Sequence, residues 1–166
     1  MTPLQFIFLL TGAVILIAGV MVVVARNLVH AALWLIVSLF GVAVLFVLLE
    51  AEFLAAVQVV LYIGAIAILI IFAIMLTRRV MQDTGPQTNR QWWLGVLIAV
   101  ALFGALLWAF SQVVFPLASV PVSADSLQKL GFSFVDPNQY ALPFEVASVL
   151  LLVALVGSIV IAGEKK

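Results

Sequence analysis

Long apolar runs separated by short polar breaks dominate the chain, and five of them reach bilayer-crossing length: residues 4–25, 29–49, 53–76, 92–115 and 144–162. A hydrocarbon core of about 30 Å takes roughly 20 apolar residues in helical form. None of the runs alternates apolar and polar positions as a barrel strand does, and a backbone in lipid has to satisfy its own hydrogen bonds. Each run is therefore predicted to be a helix. The expected fold class is all-α: an integral membrane protein of five transmembrane helices, forming a single transmembrane domain over residues 1–166.

The breaks at 26–28 and 50–52 leave room only for tight reversals, so the first three helices are expected to run up, down and up. The break at 77–91 carries Arg78, Arg79, Arg90 and the turn pair Gly85-Pro86, and reads as a polar loop. The break at 116–143 is longer and mixed. Its apolar stretch over 130–135 is expected to form a short interfacial segment.

Charges fix a predicted orientation. Arg26, Arg78, Arg79, Arg90, Lys165 and Lys166 fall on one side of the five spans, and Lys129 alone on the other. The positive-inside rule makes the first side cytoplasmic, with the N-terminus outside and the C-terminus inside. For a bacterial chain the corresponding membrane is the cytoplasmic (inner) membrane. No Lys or Arg precedes Arg26, whereas a secretory leader carries positive charge ahead of its apolar run, so the first run is expected to be retained as a span. Trp92 and Trp93 beside Arg90 suit an aromatic belt at the interface.

Composition then excludes several chemistries. Apolar residues make up 67% of the chain and charged residues 8%, with a mean hydropathy of +1.38, far from the soluble range. With no cysteine and one histidine, the chain has no thiolate ligands for zinc or iron–sulfur clusters and no pair of histidines for a metal or haem. No phosphate-binding glycine loop, nucleophile–base pair or carboxylate cluster appears, so no catalytic, cofactor-binding or metal-binding residue is assigned, and no nucleic acid is expected as a partner. A redox cofactor would have to sit on a neighbouring subunit.

A charge at a helix centre costs roughly 2.5–3.5 kcal/mol on insertion scales and usually marks an ion path. None of the five spans carries one. Glu50, Glu52 and Glu145 stand at the rims, Glu145 near the start of the fifth helix, where it would complement the helix dipole. His30 opens the second span beside Arg26 and Asn27, at headgroup level. Small residues recur on single helix faces, at Gly12 and Gly19, Gly95 and Ala99, Ala101, Ala105 and Ala109, and Ala154 and Ser158, and suit close helix packing.

The third span is the most informative. Gln58 and Tyr62 are four residues apart, which in an α-helix places both on one face, and Gly64 follows at mid-span. Two readings stay open. Ala56, Val60, Gly64 and Ala67 could form a smooth packing stripe. Alternatively, the backbone is irregular around Tyr62 and Gly64, as a kink or π-bulge.

This span, Glu52-Phe53-Leu54-Ala55-Ala56-Val57-Gln58-Val59-Val60-Leu61-Tyr62-Ile63-Gly64-Ala65-Ile66 with Leu69, Phe72 and Met75-Leu76 beyond it, resembles one family. It is similar to the J subunits of bacterial NADH-quinone oxidoreductase (respiratory complex I), counterparts of mitochondrial NADH dehydrogenase chain 6. Asn27-Leu28-Val29-His30-Ala31-Ala32 and Leu142-Pro143-Phe144-Glu145-Val146-Ala147-Ser148 resemble the family at matching places in its five-helix order. Leu28 stands where many relatives have proline, and Gln58 where some carry glutamate, so no titrating group is implied on that face.

The resemblance implies a membrane-arm subunit that couples quinone reduction to proton transfer and carries no cofactor of its own. FMN, iron–sulfur clusters and quinone are expected on partner subunits. The implied partners are a small K-type subunit, the quinone-site subunit and antiporter-like subunits, besides membrane lipid. It also implies a π-bulge at Tyr62 and Gly64 that changes conformation between enzyme states. Three other readings accompany it: a subunit of a multi-subunit cation/proton antiporter, a subunit of a ferredoxin-driven relative of complex I, and a purely structural scaffold.

Overall fold

The computed structural model describes residues 2–77, 91–113 and 125–163, and among these the secondary structure is entirely helical. In chain order the elements are α1 (Pro3–Val24), α2 (Leu28–Leu48), α3 (Glu52–Val57), a π-helical segment (Gln58–Ala67), α4 (Ile68–Leu76), α5 (Trp92–Gln112), α6 (Ser126–Ser133) and α7 (Ala141–Ala162). α3, the π segment and α4 run on without a break as one helix over Glu52–Leu76, called the third helix below. With α1, α2, α5 and α7 it makes five helices long and apolar enough to cross a membrane. The polar loop over 77–91, with Gly85-Pro86, lies almost wholly outside the described residues.

Two compact units are present, Met1–Ala118 and Ser119–Lys166. In the first, α2 contacts α1 and also contacts α3, the π segment and α4. Apart from Gln58, the buried residues are small: Ala18 on α1, Ala31, Ala32, Gly41 and Ala43 on α2, and Ala55 and Ala67 on the third helix. Lipid tails are as apolar as leucine, so burying large apolar side chains between membrane helices yields little. Close backbone approach through small residues supplies the dispersion contact instead. Gly41 is where that approach is tightest, because a Cβ there would run into Cγ1 of Ile15 and sit 3.2 Å from its Cδ1. At Gly12, Gly19 and Gly95 an added Cβ would meet nothing within 4 Å among the described residues, so none of these positions requires glycine for close approach there.

The helix ends follow local chemistry. Thr2 caps α1 in a reciprocal box: the Gln5 amide donates to Thr2 Oγ1 at 3.4 Å, and the Thr2 amide donates to Gln5 Oε1 at 3.0 Å, with Pro3 in the first turn. Asn27 caps α2 by accepting from the Val29 amide at 2.9 Å. α2 ends in a Schellman motif, with the Ala51 amide donating to the Phe46 carbonyl at 2.9 Å and the Glu50 amide to the Val47 carbonyl at 3.0 Å. The residue forced into the left-handed conformation there is Glu50, at φ 59°, where glycine is the usual choice.

In the second unit α6 and α7 form a closed corner. The fifth spanning helix starts at Ala141, three residues ahead of its apolar run, because the missing N–H of Pro143 falls in the first turn, where amides have no helical partner anyway. The fourth connection contains a short helix, α6, over Ser126–Ser133.

Two outcomes follow from the packing and the turn. Gly41→Ala should destabilise the chain by about 1–3 kcal/mol through overpacking against Ile15, and the added Ile15→Ala should recover most of the loss. Unfolding of the purified chain by SDS titration reads both. Glu50→Gly should raise the unfolding midpoint, by about 1 kcal/mol of relieved left-handed strain. A lowered midpoint would show that the carboxylate contributes more than the strain costs.

Candidate functional site

The candidate site is built on the third helix, where the hydrogen-bond pattern changes from the α to the π form over Gln58–Ala67 and back at Ile68. π-Helix is rare, mostly a single turn inside an α-helix, and concentrated at functional sites. Here it extends over more than a turn. The segment carries no proline, and every glycine described has ordinary negative φ, so the irregularity is a change of register without a break in the ladder.

The register change is visible in what is buried. Along the face turned to α2, Ala55 and Gln58 are buried, Ile63 half-buried, Ala67 buried, and Ile71 and Ile74 half-buried. An α-helix returns to the same face after three or four residues, and each interval in this series obeys that except the one from Gln58 to Ile63. That interval holds one extra residue. Gln58 and Tyr62 therefore do not share the α2-facing side as α-helical spacing predicts: Gln58 is 7% exposed and Tyr62 is 46% exposed. Nor do Ala56, Val60 and Gly64 form a packing stripe within the chain, for all three are exposed and Ala67 alone of that series is buried.

Gln58 is the only buried polar side chain among the described residues. Its Nε2 donates to the backbone carbonyl of Leu39 on α2 at 3.4 Å, tying the start of the π segment to the neighbouring helix. Interhelical hydrogen bonds of this kind average about 0.6 kcal/mol in membrane bundles, so the bond specifies position more than it adds stability. A Cβ added at Gly64 would lie 3.4 Å from the Val59 carbonyl, an ordinary contact. Within this chain, then, neither backbone conformation nor crowding demands glycine at 64. Gly64 and Tyr62 are both exposed, two residues apart and so on different sides of the helix, each open to a neighbour.

The rim carboxylates are separate from this element. Glu50 and Glu52 are exposed at the turn between α2 and α3, and Glu145 is exposed on α7. Because α7 begins at Ala141, Glu145 falls in the second turn, beyond the first-turn amides whose dipole it was expected to complement. His30 is exposed at the start of α2. Among the described residues no three His, Cys, Asp or Glu side chains gather into a metal site, and the full sequence offers no cysteine to an iron–sulfur cluster. The donor set of this chain therefore does not fit such a cluster.

Sequence reasoning passed over Gly41 and the Leu39 carbonyl. The run of small residues on α2, Ala31, Ala32, Gly41 and Ala43, was the available signal for the first. A backbone acceptor leaves no signal in sequence.

Comparison with known proteins supplies a family. Residues 18–161 match the model for NADH-ubiquinone/plastoquinone oxidoreductase chain 6. The F(420)H(2) dehydrogenase subunit J of Methanosarcina mazei is 37% identical over 94% of this chain and 89% of its own length. The NADH-quinone oxidoreductase subunit J of Rhodobacter capsulatus is 34% identical over 97% of this chain and 82% of its own. The NAD(P)H-quinone oxidoreductase chain 6 of Synechocystis is 33% identical over 93% and 78%.

Proposed function

Because this chain belongs to the NADH-ubiquinone/plastoquinone oxidoreductase chain 6 family, we propose that it is a membrane-arm subunit of a proton-translocating quinone oxidoreductase. Its part is to couple quinone reduction to proton transfer through the register of its third helix. The observation that carries this reading is the π segment Gln58–Ala67, set in the middle of a span without a central charge.

The geometry suggests how coupling works. Returning the π segment to α-helix removes the extra residue between Gln58 and Ile63, and everything beyond it then turns by one residue, about 100°. The α2-facing series would pass from Ile63, Ala67 and Ile71 to Tyr62, Ile66 and Ile70. Such a turn keeps the backbone ladder closed, which lipid requires. It exchanges a tyrosine hydroxyl for an aliphatic side chain on the helix's faces, and that exchange would admit or exclude water beside carboxylates supplied by a neighbouring small K-type subunit. In this reading the chain moves no proton itself, holds no catalytic residue, and works as one transmembrane domain.

FMN, iron–sulfur clusters and quinone belong to partner subunits, including the quinone-site subunit, with antiporter-like subunits as further neighbours. The relatives' names carry F(420)H(2), NADH and NAD(P)H, and the proposal gives this chain no part in choosing the donor. The N-terminus is placed outside and the C-terminus in the cytoplasm of a bacterial inner membrane, on the distribution of Lys and Arg.

Two substitutions test the coupling. Gly64→Val, which crowds the exposed side of the helix at 64 with a β-branched side chain, should leave the complex assembled on a native gel while lowering quinone-linked proton pumping several-fold. Loss of assembly in step with activity would assign Gly64 to packing. Tyr62→Phe should lower the ratio of protons pumped to quinone reduced, and an unchanged ratio would remove the hydroxyl from the mechanism.

A further inference from the structure

We propose that α6 is a lipid-binding surface element that lies in the headgroup layer with Leu127, Leu130 and Phe134 dipped toward the acyl chains. The argument begins from the corner that joins α6 to α7. Asp136 closes the turn with both carboxylate oxygens, accepting from the Asn138 amide at 2.9 Å and from Gln139 Nε2 at 2.9 Å. The Tyr140 amide donates back to the Ser133 carbonyl at 3.0 Å, and the Asp136 amide to the Phe132 carbonyl at 3.1 Å. The rings of Phe134 and Phe144 stack with centroids 5.6 Å apart. These bonds fix α6 to the first turns of α7, so its depth follows that of a membrane-crossing helix.

Phe144 opens the apolar run of α7 and so marks the hydrocarbon boundary. Phe134, stacked on it, stands at the same level. Leu127 and Leu130 share the helix face of Phe134 at spacings of three and four, and they remain 50% and 39% exposed, uncovered by the rest of the unit. On the opposite face stand Gln128 and Lys129 with the exposed Phe132 between them, and Ser133 lies on the flank. A helix with an apolar face and a lysine on its polar face, held at the boundary between headgroups and acyl chains, matches an interfacial helix. The Lys129 stem is long enough to carry its ammonium to phosphate oxygens. The occupant is phospholipid because the uncovered face continues, through the Phe134–Phe144 stack, into the lipid-level surface of α7.

The test uses the assembled complex in its native membrane. A benzophenone photocrosslinking residue is placed at Leu130 in one preparation and at Gln128 in another, and the chain is weighed after irradiation. The expected result is a mass shift of one phospholipid at position 130 and none at 128. A covalent band to another subunit from position 130, equal lipid adducts at both positions, or no adduct at 130 and none at a repeat placement on Leu127 would each overturn the proposal. The outcome is independent of the coupling role of the third helix, since the reading is a mass and not a turnover.

Discussion

Inside a bilayer an unpaired backbone N–H or C=O costs several kcal/mol, and this requirement governs what the third helix can do. A span that has to change shape in water can unwind a turn. One in lipid has to keep its ladder closed. Lengthening the hydrogen-bond loop from i→i+4 to i→i+5 over Gln58–Ala67 meets both needs, because it stores an extra residue without exposing a polar group. The irregular element is thus compatible with the solvent, and in the proposed account its return to the α form would turn the downstream half about the helix axis.

The rest of the first unit holds the third helix through α2. α2 meets α1 through Gly41 and Ile15, and meets the third helix through the Gln58 bond to Leu39. Alanine and glycine dominate what is buried, and among the described residues no large side chain is fully enclosed. Such an interface holds position by closeness of backbones, with little interdigitation to repack when a neighbouring helix rotates. Within the first unit α5 is exposed along its whole length, and in a subunit of a larger oxidoreductase that leaves it open to lipid or to other chains.

The five spans were legible because the bilayer imposes a length and an apolar content that soluble helices of this size rarely reach. Gln58, Tyr62 and Gly64 were legible as unusual residues in mid-span, but not in their arrangement: a spacing of four implies a shared face only while the helix is α, and one inserted residue parts Gln58 from Tyr62. Hydropathy is blind to that insertion, because Val59, Val60 and Leu61 are apolar in either register. The left-handed Glu50 was hidden for a different reason. The position carries neither the glycine nor the asparagine that would announce a helix-ending motif, and the tight turn dictated by the length of the break overrides local preference.

The central claim is that the register of the third helix changes during turnover. Amide hydrogen exchange across 58–67, read by mass spectrometry on the intact complex, tests it most directly when resting complex is compared with complex supplied with electron donor and quinone. If the segment passes between π and α forms, its hydrogen bonds are transiently exchanged for others, and deuterium should enter faster in turnover there than in α1 of the same chain. Equal exchange in the two conditions would mean that the π segment is a fixed feature of the fold, and the account of coupling through its register would be wrong.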